Sequence, residues 1–434
     1  MLMRSSTPRP LHDDSIGLLT RGYRLGEHLW RRTEPGARAV GMRLLGKPAL
    51  FVRGAEAVSL FYDGDRIARH GAMPALVQNT LFGKGSVHSL DGATHRHRKT
   101  TFLDVAYEDE QVARLAPYLE REWRSEVDAW AAGTSRRSAY EAAIGAFGRA
   151  VMRWAGLPGT ARAKTRWAER LAQIVDGFGA PYSLAFLSAQ FNRAWSDRHA
   201  ENLIMAVRRG ELETVAGTAL HEWAWHRDET GVLLSPRLAG IELQNVLRPM
   251  IAVARFVAYA AKRLHEHPEW RGRIATEAAE RGSLTGGPLA TAFAQEIRRT
   301  SPFVPMLPAW ATEDVELDGE RVEAGDRVVL DILGTNMDAA SWDRPADFVP
   351  DRFVGIDDYE AIETFVPHGG ADPRTGHRCP GEKLAIAGLA AAVSALSDRR
   401  VEILDQGLDV NLRRLPTMPA SGGRVRGCPF HRRG

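Results

Sequence analysis

Apolar residues recur at helical spacing through the middle of the chain. Leu115, Leu119, Trp123, Val127 and Trp130 fall on one helical face, because residues three and four apart lie one above the other. A Gly-Leu-Pro-Gly string at Gly156–Gly159 stops the pattern, and a new helix is predicted from Arg162. A longer apolar helix is predicted over roughly Pro236 to His265, the candidate for the centre of the molecule. After Arg299 the period changes. Val315–Val322 reads as a hairpin with an Asp-Gly turn, and Val328–Leu333 as a buried strand. Near the start, Met42–Leu45 and Ala49–Val52 read as a hairpin broken by Gly46-Lys47-Pro48, and Val401 to Leu415 reads as short strands. The expected fold is mainly α with small β-sheets. It is one domain over 1–434, with a helix-rich core at about 100–300 and sheets near 40–55 and 310–335.

Bulk composition adds exclusions. With 434 residues, 44% of them hydrophobic and 26% charged, the chain can bury a large core. A net charge of +3 is too small to argue for nucleic acid, and Glu and Asp interleave with the arginines as on solvated helix faces. Two cysteines argue against a disulfide framework. Met1 to Tyr23 holds no apolar run suited to a signal peptide or membrane anchor, so a cytoplasmic location is expected.

Cys379 is the most informative residue. It stands in Gly376-His377-Arg378-Cys379-Pro380-Gly381-Glu382, ahead of the helix-forming run Lys383–Val393. A thiol at a helix N-terminus feels the positive end of the dipole, and cationic neighbours at His377 and Arg378 are expected to favour the thiolate further. A thiolate on haem iron donates electron density and favours O–O cleavage. A buried structural cysteine is the common alternative for an isolated Cys. Cys428 also precedes a proline, but no helical pattern follows it, so it is rejected as a ligand.

Upstream, Glu296-Ile297-Arg298-Arg299 puts Glu296 and Arg299 on one helical face, and Phe348-Val349-Pro350-Asp351-Arg352-Phe353 offers Arg352 to the same carboxylate. Together with His377-x-Cys379-x-Gly381, these strings resemble the cytochromes P450 over nearly the whole length. The resemblance implies haem (heme b) with Cys379 as axial ligand, held between the central long helix and the cysteine-loop helix, with a haem-thiolate loop at 365–382. It also implies a structural triad of Glu296, Arg299 and Arg352.

Two departures from the common family pattern stand out. Asp372 and Thr375 occupy the places of the usual Phe and Gly before the cysteine, and Phe365–Asp372 is followed by an apparent insertion. The central helix lacks the acid–alcohol pair and reads Leu243-Gln244-Asn245-Val246-Leu247-Arg248-Pro249-Met250-Ile251. Proline in a helix interior removes a hydrogen bond and kinks the helix. Arginine on an apolar helix is expensive unless paired, and its planar fork suits a carboxylate. With the segment Leu81–Gly92, these features resemble the fatty-acid peroxygenase branch of the family.

That resemblance implies hydrogen peroxide as oxidant, a long-chain fatty acid as substrate and no dedicated reductase. The expected products are α- or β-hydroxy acids or terminal alkenes. Arg248 and Pro249 are then the substrate-binding residues, with Arg248, His88 and Phe82 as catalytic candidates. The carboxylate clamped by Arg248 can serve as general acid–base and holds Cα and Cβ nearest the iron. His88 occupies a position that holds Gln or His in the branch, and a titratable imidazole there could donate a proton. In His95-Arg96-His97-Arg98-Lys99 the resemblance points to His95 and Lys99, with Arg98 as an alternative, as contacts for haem propionates, and His377 as another. A solvated basic face, a packing histidine and a core phenylalanine are the plainer alternatives for these residues. Two other functions stay open: a dioxygen-dependent cytochrome P450 monooxygenase with separate redox partners, and a non-catalytic haem sensor or carrier.

Overall fold

The five residues of the Leu115–Trp130 stripe lie on a helix spanning Asp109–Ala131 and are fully buried. The computed structural model describes residues 13–179 and 183–429. Helices Ala139–Trp154 and Ala161–Gly177 follow, the first closed by a capping box between Ser138 and Glu141, the second capped by Thr160. The stop at Gly156–Gly159 and the restart near Arg162 therefore fall where the spacing placed them.

The predicted central helix is two helices, Pro236–Ala252 and Ala254–Glu266, which meet at Val253. Ser235 starts the first by accepting the N–H of Leu238, and Pro236 occupies the first turn where its missing N–H costs nothing. Pro249 has no N–H to give the Asn245 carbonyl. The ladder is thus already interrupted one turn before the break.

The strands are β1 (Ala39–Leu44), β2 (Lys47–Val52), β3 (Ile67–Ala68), β4 (Met306–Ala311), β5 (Val315–Leu317), β6 (Glu320–Val322), β7 (Arg327–Asp331), β8 (Val401–Ile403) and β9 (Val425–Gly427). The two separate sheets expected near 40–55 and 310–335 are one five-stranded sheet in the order β1-β2-β7-β4-β3. β2 pairs parallel with β7, Ala49 opposite Arg327 and Val52 opposite Leu330. All of β7 is buried, as its unbroken apolar run requires. The first hairpin turns at Leu45-Gly46, so Lys47 and Pro48 belong to β2 rather than to the break. In the β5–β6 hairpin Asp318 and Gly319 have φ of 54° and 78°, as the two-residue turn demands. The stretch Val401 to Leu415 contributes only β8, which pairs with β9.

The main apolar core joins the helices Asp109–Ala131, Ala139–Trp154, the two central helices and Glu382–Ser397. That last helix follows the cysteine loop and is almost entirely buried. Among the described residues no helix is long and apolar enough to cross a membrane.

Candidate active site

The cysteine loop is anchored from both flanks. On one side Phe365 packs against Trp342 and Phe353, and the Val366 N–H donates to Asn336 Oδ1 at 2.7 Å. On the other, Glu382 is buried between Arg298 and Arg378; Arg378 Nε donates to Glu382 Oε2 at 2.7 Å. Arg378 therefore turns to Glu382 and does not lend its charge to the thiol. Cys379 N–H donates to the His368 carbonyl at 3.1 Å. Burial and the Glu382 carboxylate push the thiol up to about 11, against the smaller pull of Lys99. Burial lowers His377 as well, so it is not the cation that the local string suggested. The protein alone holds Cys379 as a thiol; a coordinated metal deprotonates it.

The triad forms as one buried cluster. Arg299 grips Glu296 with both prongs at 2.7 Å, and Arg352 Nε lies 3.6 Å from Glu296 Oε1. The Val349 N–H donates to Glu296 Oε1 at 2.8 Å, and Arg299 also reaches the carbonyls of Pro345 and Asp347. These contacts fix the strand of chain that approaches the cysteine loop.

A cavity of about 320 Å³ opens above Cys379 and Pro380. One side carries basic and imidazole groups: Arg69, His95, Lys99 and His377. His95 and His377 stack at 4.0 Å, and His377 Nε2 lies 3.5 Å from Asp91 Oδ1. Lys99 points its ammonium at the carbonyls of Gly376 and Arg378. Arg69 has a buried Nη2 without a hydrogen-bond partner among the described residues. Arg98 is not on this wall. It donates to the Gly85 carbonyl at 2.8 Å and lies 3.4 Å from Glu242 Oε1. Its commitment to that buried carboxylate removes it as a propionate contact.

The same cavity is lined by Arg248, Pro249, His88 and Phe82. Phe82 and His88 stack at 3.9 Å, with the Arg248 guanidinium 5.8 Å from the Phe82 ring. The free surface of His88 faces the cavity, deep among protein atoms. Burial there, with Arg248 nearby, holds its pKa well below the usual histidine range. The ring is thus a neutral donor or acceptor at neutral pH, not a titrating acid.

Arg248 is 2% exposed and, among the described residues, has no carboxylate in contact. Its Nη2 donates to Asn245 Oδ1 at 2.5 Å, while its Nη1 is buried without a hydrogen-bond partner among the described residues. Burial, then Arg193, pushes its pKa well down, which marks a cation short of compensating negative charge. Asn245 Nδ2 donates in turn to Glu242 Oε2 at 2.8 Å. Glu242 Oε1 accepts the Val87 N–H at 2.8 Å, next to His88. Glu242, Asn245 and Arg248 sit at i, i+3, i+6 on one helix. Neither Glu242, Asn245 nor Arg69 was singled out from sequence; for the first two, that spacing upstream of the arginine was the available signal.

The donor set fits haem. A thiol lies in the floor of a cavity whose rim carries an orphaned buried guanidinium nitrogen at Arg69, two stacked imidazoles and a lysine. Cys379 would ligate the iron, and Arg69, His95 and His377 would meet propionates. Cys428 is outside this cavity, its N–H held by the Arg400 carbonyl.

The family model described as Cytochrome P450 matches residues 279–397. Among curated proteins, cytochrome P450 137 of Mycobacterium tuberculosis is 27% identical over 248 residues, 55% of this chain and 49% of that protein. The matched segment thus spans about half the length of that relative. Solved structures match far more of the chain. Cytochrome P450SP alpha in complex with (R)-ibuprophen is 36% identical, with 96% of this chain and 98% of that one covered and a TM-score of 0.86. Ligand-free cytochrome P450 OleT is 28% identical, with 98% and 99% covered and a TM-score of 0.88. A variant of OleT was solved in complex with arachidonic acid.

Proposed function

The chain belongs to the cytochrome P450 family, in its fatty-acid peroxygenase branch, and we propose that it oxidises long-chain fatty acids with hydrogen peroxide and no reductase. The observation that carries this reading is Arg248. It is a buried guanidinium that has, among the described residues, one nitrogen unpartnered and no carboxylate in contact, in the same cavity as Cys379. A buried cation in that state is costly unless an anion arrives, and a carboxylate matches its fork. That OleT has been solved with arachidonic acid supports the same ligand class.

Haem held through Cys379 supplies the oxidising chemistry when bound. The residues of the chain do the rest. Arg248 binds the carboxylate and keeps it ionised, and Asn245 and Glu242 hold the guanidinium from behind. The bound carboxylate is the base that can take a proton from one peroxide oxygen and return it to the other. Clamping also presents Cα and Cβ before the rest of the alkyl chain. Neutral His88, stacked on Phe82, closes the space beside the carboxylate and offers one N–H. Hydroxylation balances as R–H plus H2O2 giving R–OH plus water. Decarboxylation balances as R–CH2–CH2–COOH plus H2O2 giving R–CH=CH2, CO2 and two waters.

The test is incubation of the purified holoenzyme with tetradecanoic or hexadecanoic acid and hydrogen peroxide, without reductase, with products read by mass spectrometry. Hydroxy acids, or alkenes one carbon shorter, are expected. Turnover only with a reductase and NAD(P)H would overturn the peroxide reading, and haem binding without any product would favour a sensor or carrier.

A further inference from the structure

The cavity wall holds a second buried arginine. Arg255 is 3% exposed and lines the same cavity as Arg248. It stands seven residues further along the central helices. Val253, where the two central helices meet, lies between the two residues. Both arginines line the one cavity, Arg248 from the first central helix and Arg255 from the second.

Their surroundings differ. Among the described residues Arg248 has no carboxylate in contact, whereas Arg255 Nη2 is paired with Asp176 Oδ1. Tyr140 donates its hydroxyl to the same carboxylate, at 2.9 and 3.1 Å. The charge of Arg255 is thus already balanced. Its Nε is not satisfied: it is buried without a hydrogen-bond partner among the described residues. Val175 and Phe178, which flank Asp176, line the cavity, as do Phe303, Val304 and Pro416. An unmet N–H donor in an apolar wall recovers its lost hydration only from an acceptor brought in by a ligand. A second carboxylate would face Asp176, so the acceptor that fits is uncharged.

We infer that the part of the cavity wall formed by Arg255 with Val175, Phe178 and Pro416 is a polar subsite that accepts a neutral oxygen at the far end of a fatty acid, namely an ω-hydroxyl. This rests on the proposed function and narrows its substrate class from plain fatty acids to ω-hydroxy fatty acids. The carboxylate goes to Arg248, the alkyl chain lies along the apolar wall, and the ω-oxygen accepts from Arg255 Nε.

The experiment titrates the ferric holoenzyme with ω-hydroxy acids of ten to sixteen carbons and with the matching plain acids, following the Soret shift. Each acid is also tested for turnover with hydrogen peroxide. One ω-hydroxy acid in the series should bind about tenfold more tightly than its plain partner, the size expected for one hydrogen bond from a charged donor. The double variant Arg255→Met/Asp176→Asn removes the pair without leaving either charge alone, and should bind the two acids equally. If that variant does not fold, the wild-type comparison decides by itself. Equal or weaker binding of every ω-hydroxy acid, with plain acids oxidised, overturns the subsite and leaves the proposed function standing. Failure of all these acids to bind overturns both.

Discussion

Glu242 accepts the backbone N–H of Val87 at 2.8 Å, which ties the turn that carries His88 to the helix that carries Arg248. The same carboxylate holds Asn245, and Asn245 holds Arg248. Two cavity-lining groups from different elements thus share a single buried anchor. Glu242→Ala should weaken fatty-acid binding about tenfold or more, since it removes hydrogen bonds to a charged group worth about 1.5–3 kcal/mol. Glu242→Gln keeps an acceptor for Val87 and should recover most of the binding. Soret titrations of both holoenzymes, with haem content checked alongside, test this.

Arg248→Ala should retain haem and lose most long-chain fatty-acid turnover. Removal of one partner of a buried ion pair costs about 3–5 kcal/mol, or roughly two to three and a half orders of magnitude. The measurement is kcat/KM with hydrogen peroxide, beside the Soret absorbance of the same preparation. Turnover near the wild-type value would remove Arg248 from the site.

His88→Gln should change the ratio of alkene to hydroxy acid while binding stays within a few-fold. His88 is neutral and stacked on Phe82, so glutamine keeps a neutral hydrogen-bonding group but loses the ring. Because the imidazole pKa is far below the ordinary histidine range, the product ratio of the wild type should not inflect between pH 6 and 8. Product analysis across that range checks both statements.

Stability in acid should carry the signature of His226, which is buried, bonded to Thr101 Oγ1 at 2.8 Å and outside the cavity wall. Burial, with His97 and Arg98 nearby, lowers its pKa from 6.5 to about 4. The unfolded chain therefore binds the proton first as pH falls. Stability from this group is complete above pH 6.5 and drains away towards pH 4. The loss amounts to about 3 kcal/mol. Urea unfolding of holo His226→Gln should show a shallower decline than wild type over that window, and the same slope above it.

Glu296→Ala should fail as a folded holoenzyme or lose about 3–5 kcal/mol of stability, because Arg299 would remain fully buried without its carboxylate. Thermal unfolding of the purified variant gives the answer.

Much of this was legible in the chain because local pattern and tertiary demand agree. The Leu115–Trp130 stripe is buried as its spacing requires, and Glu296, Arg299 and Arg352 meet as their motifs imply. Pro249 announced an interrupted helix, and the break falls one turn further on, at Val253. Arg98 and Lys99 are neighbours in one basic run, and nothing local says that one turns to Glu242 while the other covers the cysteine loop. The effect on Cys379 was also hidden. Its string is rich in cations, but Arg378 is spent on Glu382 and burial outweighs the rest. Long-range partners decide such cases, and they have no signature within a few residues.

The cysteine loop is pinned at Val366 by Asn336 and at Glu382 by Arg298, and the stretch that follows Asp372 lies between these fastenings, with Lys99 on the Gly376 carbonyl and Arg374 3.0 Å from Glu108. The Cys379 N–H, bonded to the His368 carbonyl, closes the loop across that stretch. A residue gained or lost there has to be taken up within the span that this bond closes, and Lys99 carries the change to the Arg378 carbonyl beside the thiol.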